Sequence, residues 1–128
     1  MTSKQINSAK DLIVYKEAYN LAMEIYTLSK LWPPEEKYSL TDQIRRSSRS
    51  VCANLREAWA KRRYSSNFIL KVTDCDGENS ETGTWLDFAK DCGYLKETDY
   101  TLLKQKCNEI GKMLGSILKN PQPFILKL

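Results

Sequence analysis

Residues 40–58, LTDQIRRSSRSVCANLREA, decide the fold. Leu40, Ile44, Ser47, Val51, Leu55 and Ala58 recur at helical steps of three and four, and Arg45, Arg49, Arg56 and Arg63 keep helical register one residue further on. One face of this helix is built for burial and its neighbour carries positive charge. The pattern predicts a helix from Leu40 to about Arg62, with Ser39 and Asp42 in a capping arrangement at its start.

Upstream, Asp11 to Lys30 reads as a first helix. Leu12, Tyr15, Tyr19, Ala22 and Tyr26 form one stripe, and Val14, Ala18, Leu21, Ile25 and Leu28 lie beside it. So wide an apolar arc either sits centrally in a bundle or turns a second face to another subunit. The Trp32-Pro33-Pro34 run ends this helix, because the first proline biases Trp32 away from helical backbone and prolines donate no hydrogen bond.

Downstream, Ser65 or Ser66 is the expected cap of a third helix. Phe68, Val72, Cys75, Asn79, Thr82, Leu86 and Ala89 keep heptad-like steps until Gly93, a good residue for a helix C-terminus. The middle of this helix is polar, and Gly77 and Gly83 each cost about 1 kcal/mol relative to Ala in a helix interior. Small residues there either permit close helix approach or mark a kink. Thr98 is the expected cap of a fourth helix, whose Tyr100, Leu103, Cys107, Ile110, Leu114 and Ile117 alternate three and four apart until Asn120-Pro121.

Four helices with short connections and no strand alternation predict an all-α fold, an antiparallel up-down-up-down four-helix bundle over residues 11–119. Residues 1–10 are expected as a loose lead-in, and residues 120–128 as a short tail whose apolar end docks on the bundle or on a neighbour. At 128 residues the chain suits one domain with a core that needs no staple.

The net charge of +4 conceals two opposed blocks. Residues 39–63 hold seven Lys and Arg against Asp42 and Glu57, a local net of +5, whereas residues 74–91 carry a local net of −5. Arg45, Arg46, Arg49, Arg56, Lys61, Arg62 and Arg63 form a candidate phosphate-binding surface for RNA or DNA. The competing reading pairs the inner arginines Arg45 and Arg49 with Asp74, Asp76, Glu78 and Glu81 on the next helix or subunit, and explains Lys61, Arg62 and Arg63 by the helix dipole. Tyr38, Trp59 and Tyr64 lie near these cations and either stack on bases or pack; Trp85 and Phe88 read as core or subunit interface.

Catalysis finds little support. The chain has no histidine, no nucleophile elbow and no glycine-rich phosphate loop, so neither a catalytic set nor a cofactor is expected. Cys52, Cys75, Cys92 and Cys107 are 23, 17 and 15 residues apart, which excludes a CxxC zinc motif. An all-carboxylate magnesium site on the acidic helix is weaker than a salt-bridged acidic face. Reduced cysteines, no apolar signal region after Met1 and no run of about 18 apolar residues point to a cytoplasmic protein without a membrane partner.

Three stretches carry a family resemblance: DLIVYKEAYNLAMEIY (11–26), EKYSLTDQIRRSSRSVCAN (36–54) and DCGYL (91–95). Over roughly residues 10–118 the chain resembles the four-helix bundle proteins encoded in intervening sequences of bacterial 23S ribosomal RNA genes. The resemblance implies a left-handed bundle that assembles as a homopentameric barrel, and no enzymatic activity is established for the family. In a related branch, accessory proteins of diversity-generating retroelements, a basic barrel surface contacts nucleic acid and a reverse transcriptase. The chain departs from the family after Ala53-Asn54: Leu55-Arg56-Glu57-Ala58 replaces the usual small residue, Glu and Gly, which adds a cation and suggests a straighter helix. Two functions follow: a basic homo-oligomer that binds nucleic acid or a nucleic-acid enzyme, or a protein–protein adaptor whose arginines pair between subunits.

Overall fold

The computed structural model describes residues 6–126 as four α-helices with no strand among them: α1 (Ile13–Ser29), α2 (Asp42–Ala60), α3 (Ser65–Asp91) and α4 (Glu97–Lys119). The fold is all-α. Helix α1 packs on α2 and α4, and α3 packs on the same two helices, so every helix has two neighbours around one core. Ile25, Ile44, Leu55, Leu86, Leu103, Ile110 and Leu114 are all fully buried there.

Local chemistry sets the helix ends, and several differ from the sequence expectations. Residues 1–5 of the expected lead-in lie outside the described residues; from Asn7 the chain is already fixed. The Asp11 carboxylate accepts the backbone N–H groups of Asn7 at 2.8 Å and Ser8 at 3.1 Å, closing a 3-10 turn at Ala9–Asp11, and α1 begins at Ile13 rather than Asp11. The expected Ser39 cap does not form, because a π-helical turn at Lys37–Thr41 runs directly into α2 and supplies its first backbone partners. Helix α3 starts at Ser65 itself, and α4 starts at Glu97, one residue before the expected Thr98 cap.

The polar helix α3 is continuous through both glycines. A Cβ at Gly77 would meet nothing within 4 Å, whereas one at Gly83 would lie 3.3 Å from Lys104 Nζ and 3.6 Å from Cys107 Sγ. Gly83 therefore marks the close approach of α4, and α3 runs through it unbroken. The buried polar groups of α3 find partners: the hydroxyls of Thr82 and Ser47 are 2.8 Å apart, and Asn79 Nδ2 donates to the Cys107 carbonyl at 2.9 Å. Such pairing is what makes polar side chains tolerable in a core. At the end of α3, Gly93 takes φ +82° and lets Tyr94 N–H reach the Ala89 carbonyl at 2.8 Å, a Schellman closure open to glycine at little cost.

Beyond α4, Phe124 stacks on Phe68 of α3 at a centroid distance of 6.2 Å, and Leu126 N–H donates to the Arg62 carbonyl at 3.2 Å. The tail thus docks on its own chain as far as Leu126. Residues 127–128 of the expected apolar end lie outside the described residues.

Candidate nucleic-acid interface

Successive residues on a helix are about 100° apart, so neighbouring arginines of α2 look toward different helices. Arg45 turns to α1: its Nε donates to Ser29 Oγ at 2.9 Å, and its guanidinium lies 4.9 Å from the Tyr26 ring centre. Arg49 follows one turn later at 5.6 Å from the same ring, and Lys30 Nζ stands 4.6 Å from it. Three cations thus surround Tyr26. No carboxylate forms an ion pair with any of them among the described residues.

Arg46 turns the other way. It donates to Glu81 at 2.9 Å and lies 3.7 Å from Glu78, both on α3. The expectation that the acidic helix pairs with Arg45 and Arg49 is therefore corrected within the chain: Arg46 takes that role, because its 100° offset points it at α3. Glu57, Asp74 and Asp87 have other partners. Lys71 bridges Glu57 at 2.8 Å and Asp74 at 3.8 Å, while Asp87 accepts from Tyr100 at 2.6 Å and Lys104 at 3.0 Å.

These interactions shift the carboxylates in opposite directions. Burial pushes Glu78 up, against the pull of Arg46; its Oε2 lies near that cation but has no hydrogen-bond donor within reach. Asp87 is held down, first by the Tyr100 hydrogen bond and then by Lys104. The hydrogen bond from Lys71 likewise holds Glu57 down. The matching acceptors push the Tyr100 phenol, bonded to Asp87, and the Tyr94 phenol, bonded to Glu36, up to about 12.

At the far end of α2 the cations divide again. Arg62 donates to the Trp59 carbonyl at 2.8 Å and lies 4.0 Å from the Trp59 ring, adding a charged donor to a helix-end carbonyl that also accepts the Arg62 backbone N–H at 3.3 Å. The dipole reading fits this residue. Arg56, Lys61 and Arg63 form no ion pair among the described residues; Arg56 and Lys61 are exposed on α2 and just past its end. Of the seven basic residues singled out in the sequence, Arg46 is spent on α3 and Arg62 on Trp59. Arg45, Arg49, Arg56, Lys61 and Arg63 form no ion pair among the described residues, while Lys61 lies near enough to Glu57 to help hold its carboxyl down.

The aromatic residues divide, with Trp59 and Trp85 packed against the core. Tyr38 and Tyr64 are exposed, Trp59 is half-buried beneath Arg62, and Trp85 donates to Glu81 at 3.3 Å. Phe88 is exposed and does not belong to the core of the chain. The ring at the centre of the cation cluster is Tyr26, which the sequence pattern places in an apolar stripe. Its spacing from Tyr19 and Tyr15 is the signal that could have found it, and that spacing reads equally well as core.

The remaining chemistry is sparse. Among the described residues no three His, Cys, Asp or Glu side chains converge as metal ligands, and no helix is long and apolar enough to cross a membrane. Cys52, Cys75, Cys92 and Cys107 are free thiols, three of them buried. Burial pushes Cys52 and Cys107 up to about 11 and Cys75 to about 12, which keeps them protonated and unreactive at neutral pH.

Fold and site together define an all-α four-helix protein whose second helix carries a line of arginines. Over residues 10–116 the chain matches the family described as 23S rRNA-intervening sequence protein, and it belongs to that family. A crystal structure of a protein of unknown function from the S23 ribosomal protein family of Bacteroides thetaiotaomicron is similar to it, with 32% identity and a TM-score of 0.78 over 87% of this chain and 99% of that one. No curated protein matches the sequence.

Proposed function

We propose that the protein is a non-enzymatic, cytoplasmic homo-oligomer, a pentamer by family resemblance, whose basic face binds RNA or DNA or a nucleic-acid enzyme such as a reverse transcriptase. The observation that carries this reading is the cluster of Lys30, Arg45 and Arg49 around Tyr26 with no carboxylate paired to them among the described residues. Arg56, Lys61 and Arg63 extend the same charge along α2 and beyond its end. Uncompensated cations on a rigid helix lose little entropy on meeting phosphates and release counterions when they do.

An antiparallel, left-handed up-down-up-down course for the bundle belongs to this proposal. Its antiparallel sense is supported by side-chain pairs whose residue numbers run in opposite senses, Arg46 with Glu81 and Glu57 with Lys71 between α2 and α3, then Asn79 with Cys107 and Asp87 with Lys104 between α3 and α4, and its handedness comes from the family resemblance. Self-association is supported by large apolar side chains left in water on α1, at its C-terminal end and on α4: Ile13, Met23, Leu31 and Leu102. Leu31, 87% exposed, also favours the second reading, an adaptor that recognises another protein through apolar surface.

A salt titration of RNA and DNA binding, on protein whose mass is fixed by light scattering, tests both parts. The proposal expects a pentameric mass and affinity that falls steeply between about 50 and 200 mM salt. A monomer, or binding indifferent to salt, contradicts it.

A further inference from the structure

The edge of α1 that meets Arg45 and Arg49 of α2 carries more than charge. Tyr15, Tyr19 and Tyr26 lie four and seven residues apart, within about 40° of one line on α1 at 100° per residue, and they span about 16 Å of its length. None is fully buried: Tyr15 and Tyr26 are half-buried, and Tyr19 is 52% exposed. Tyr15 and Tyr19 stack with ring centres 6.2 Å apart. Arg45, Arg49 and Arg56 occupy a matching line on α2, again within about 40°. Two of these arginines already lie over the face of Tyr26, at 4.9 and 5.6 Å. Beside Tyr15 and Tyr19, a shallow depression of about 470 Å³ is walled by the two rings, Lys10, Lys16 and Asn20, with no acidic residue.

We infer that this edge is a track for single-stranded nucleic acid, in which bases stack on the tyrosines while the arginines of α2 hold the phosphates; the inference rests on the nucleic-acid reading proposed above. A row of tyrosine rings beside a row of cations, with Tyr19 exposed and Tyr15 and Tyr26 half-buried, suits unpaired bases, since each base has a face to stack and each nucleotide a charge to neutralise. A duplex keeps its bases stacked inside and offers these rings nothing but backbone. An acidic peptide would use the arginines and leave the tyrosine row without purpose. Tyr19 is the informative position, because it is exposed and stands outside the buried core.

The test compares a labelled pyrimidine strand of about 12 nucleotides with its duplex, within the site sizes typical of such tracks. Fluorescence anisotropy at fixed salt is expected to show the single strand bound about tenfold or more tighter. Tyr19→Ala is expected to weaken single-strand binding about fivefold or more, as one base loses its stacking partner, and Tyr19→Phe to restore it. Thermal unfolding of the two variants checks that the fold is intact. Salt-sensitive binding that ignores Tyr19→Ala, or that treats strand and duplex alike, overturns the track and leaves the basic face standing. Binding of an acidic peptide with nucleic acid ignored, or no binding of any kind, overturns both.

Discussion

Arg45 and Arg46 are joined by one peptide bond and anchored on different helices: Arg45 bonds Ser29 of α1 at 2.9 Å, and Arg46 bonds Glu81 of α3 at 2.9 Å. Their environments differ as much as their directions. Arg46 and Glu81 lie in solvent reach, and an exposed ion pair of this kind contributes about 0–1 kcal/mol. Arg45 is half-buried and ties α2 to the last turn of α1 through a charged donor. Arg46→Gln is therefore expected to shift the urea midpoint little, whereas Arg45→Ala is expected to cost about 1–2 kcal/mol. Equal losses would show that the two anchors are energetically alike.

In the core, Ser47 and Thr82 form a hydroxyl pair between α2 and α3. Thr82→Val removes one partner from a buried site and is expected to cost about 1–2 kcal/mol, with Ser47 Oγ left only its 3.3 Å bond to the Ile44 carbonyl. Adding Ser47→Ala removes the stranded group, so the double variant is expected to lose less than the two single losses combined. Denaturant unfolding of all four members of the cycle measures the coupling. Strict additivity would mean that the hydroxyls are satisfied independently.

The acid limb of the stability curve contains two carboxylates with opposite signs. Asp87 is held below the usual carboxylate range, so its contribution is present at neutral pH and is lost as pH falls through its folded value. Glu78 is raised, so its contribution is present in acid and is lost as pH rises through its folded value. Asp87→Asn is expected to lower stability at pH 7 and flatten the fall toward pH 3. Glu78→Gln is expected to hold or raise stability at pH 7 and steepen that fall. Urea midpoints measured between about pH 3 and 7 separate the two; the same sign of change in both variants would contradict the assignment.

Gly77 faces open space in the interior of α3, where a methyl group meets nothing within 4 Å. Gly77→Ala is expected to stabilise by about 0.5–1 kcal/mol through backbone entropy alone. Gly93→Ala, with equal space but φ +82°, is expected to destabilise. Thermal melts of both variants distinguish conformation from crowding. A loss at Gly77 would contradict the open space around that position.

The helix faces are legible in the sequence, and the partners of polar groups are not. Leu40, Ile44, Ser47, Val51, Leu55 and Ala58 are all buried, as their spacing predicts, and so are the seven heptad positions of α3 from Phe68 to Ala89. Periodicity reports which side of a helix is inside. It does not say which neighbour stands beside that side, so the division between Arg45 and Arg46 emerges only from the packing of α1 and α3. Tyr19 and Tyr26 escape the pattern for a related reason: an aromatic ring reads as apolar, yet a position at the edge of a buried face leaves part of it in water. Helix starts differ because Ser39 and Thr98 look like caps by residue type, while the π-helical turn and the backbone at Lys96 open those helices without them.

The basic face is the central claim, and the salt dependence of nucleic-acid binding in the Arg49→Gln/Arg56→Gln double variant tests it most directly. Each phosphate that the face no longer neutralises lowers the slope of log affinity against log salt by about 0.7–0.9. The double variant is expected to lose up to about 1.4–1.8 from that slope, while Arg46→Gln, already neutralised by Glu81, keeps it. An unchanged slope in the double variant, or a larger drop in Arg46→Gln, would contradict the assignment of this face to nucleic acid.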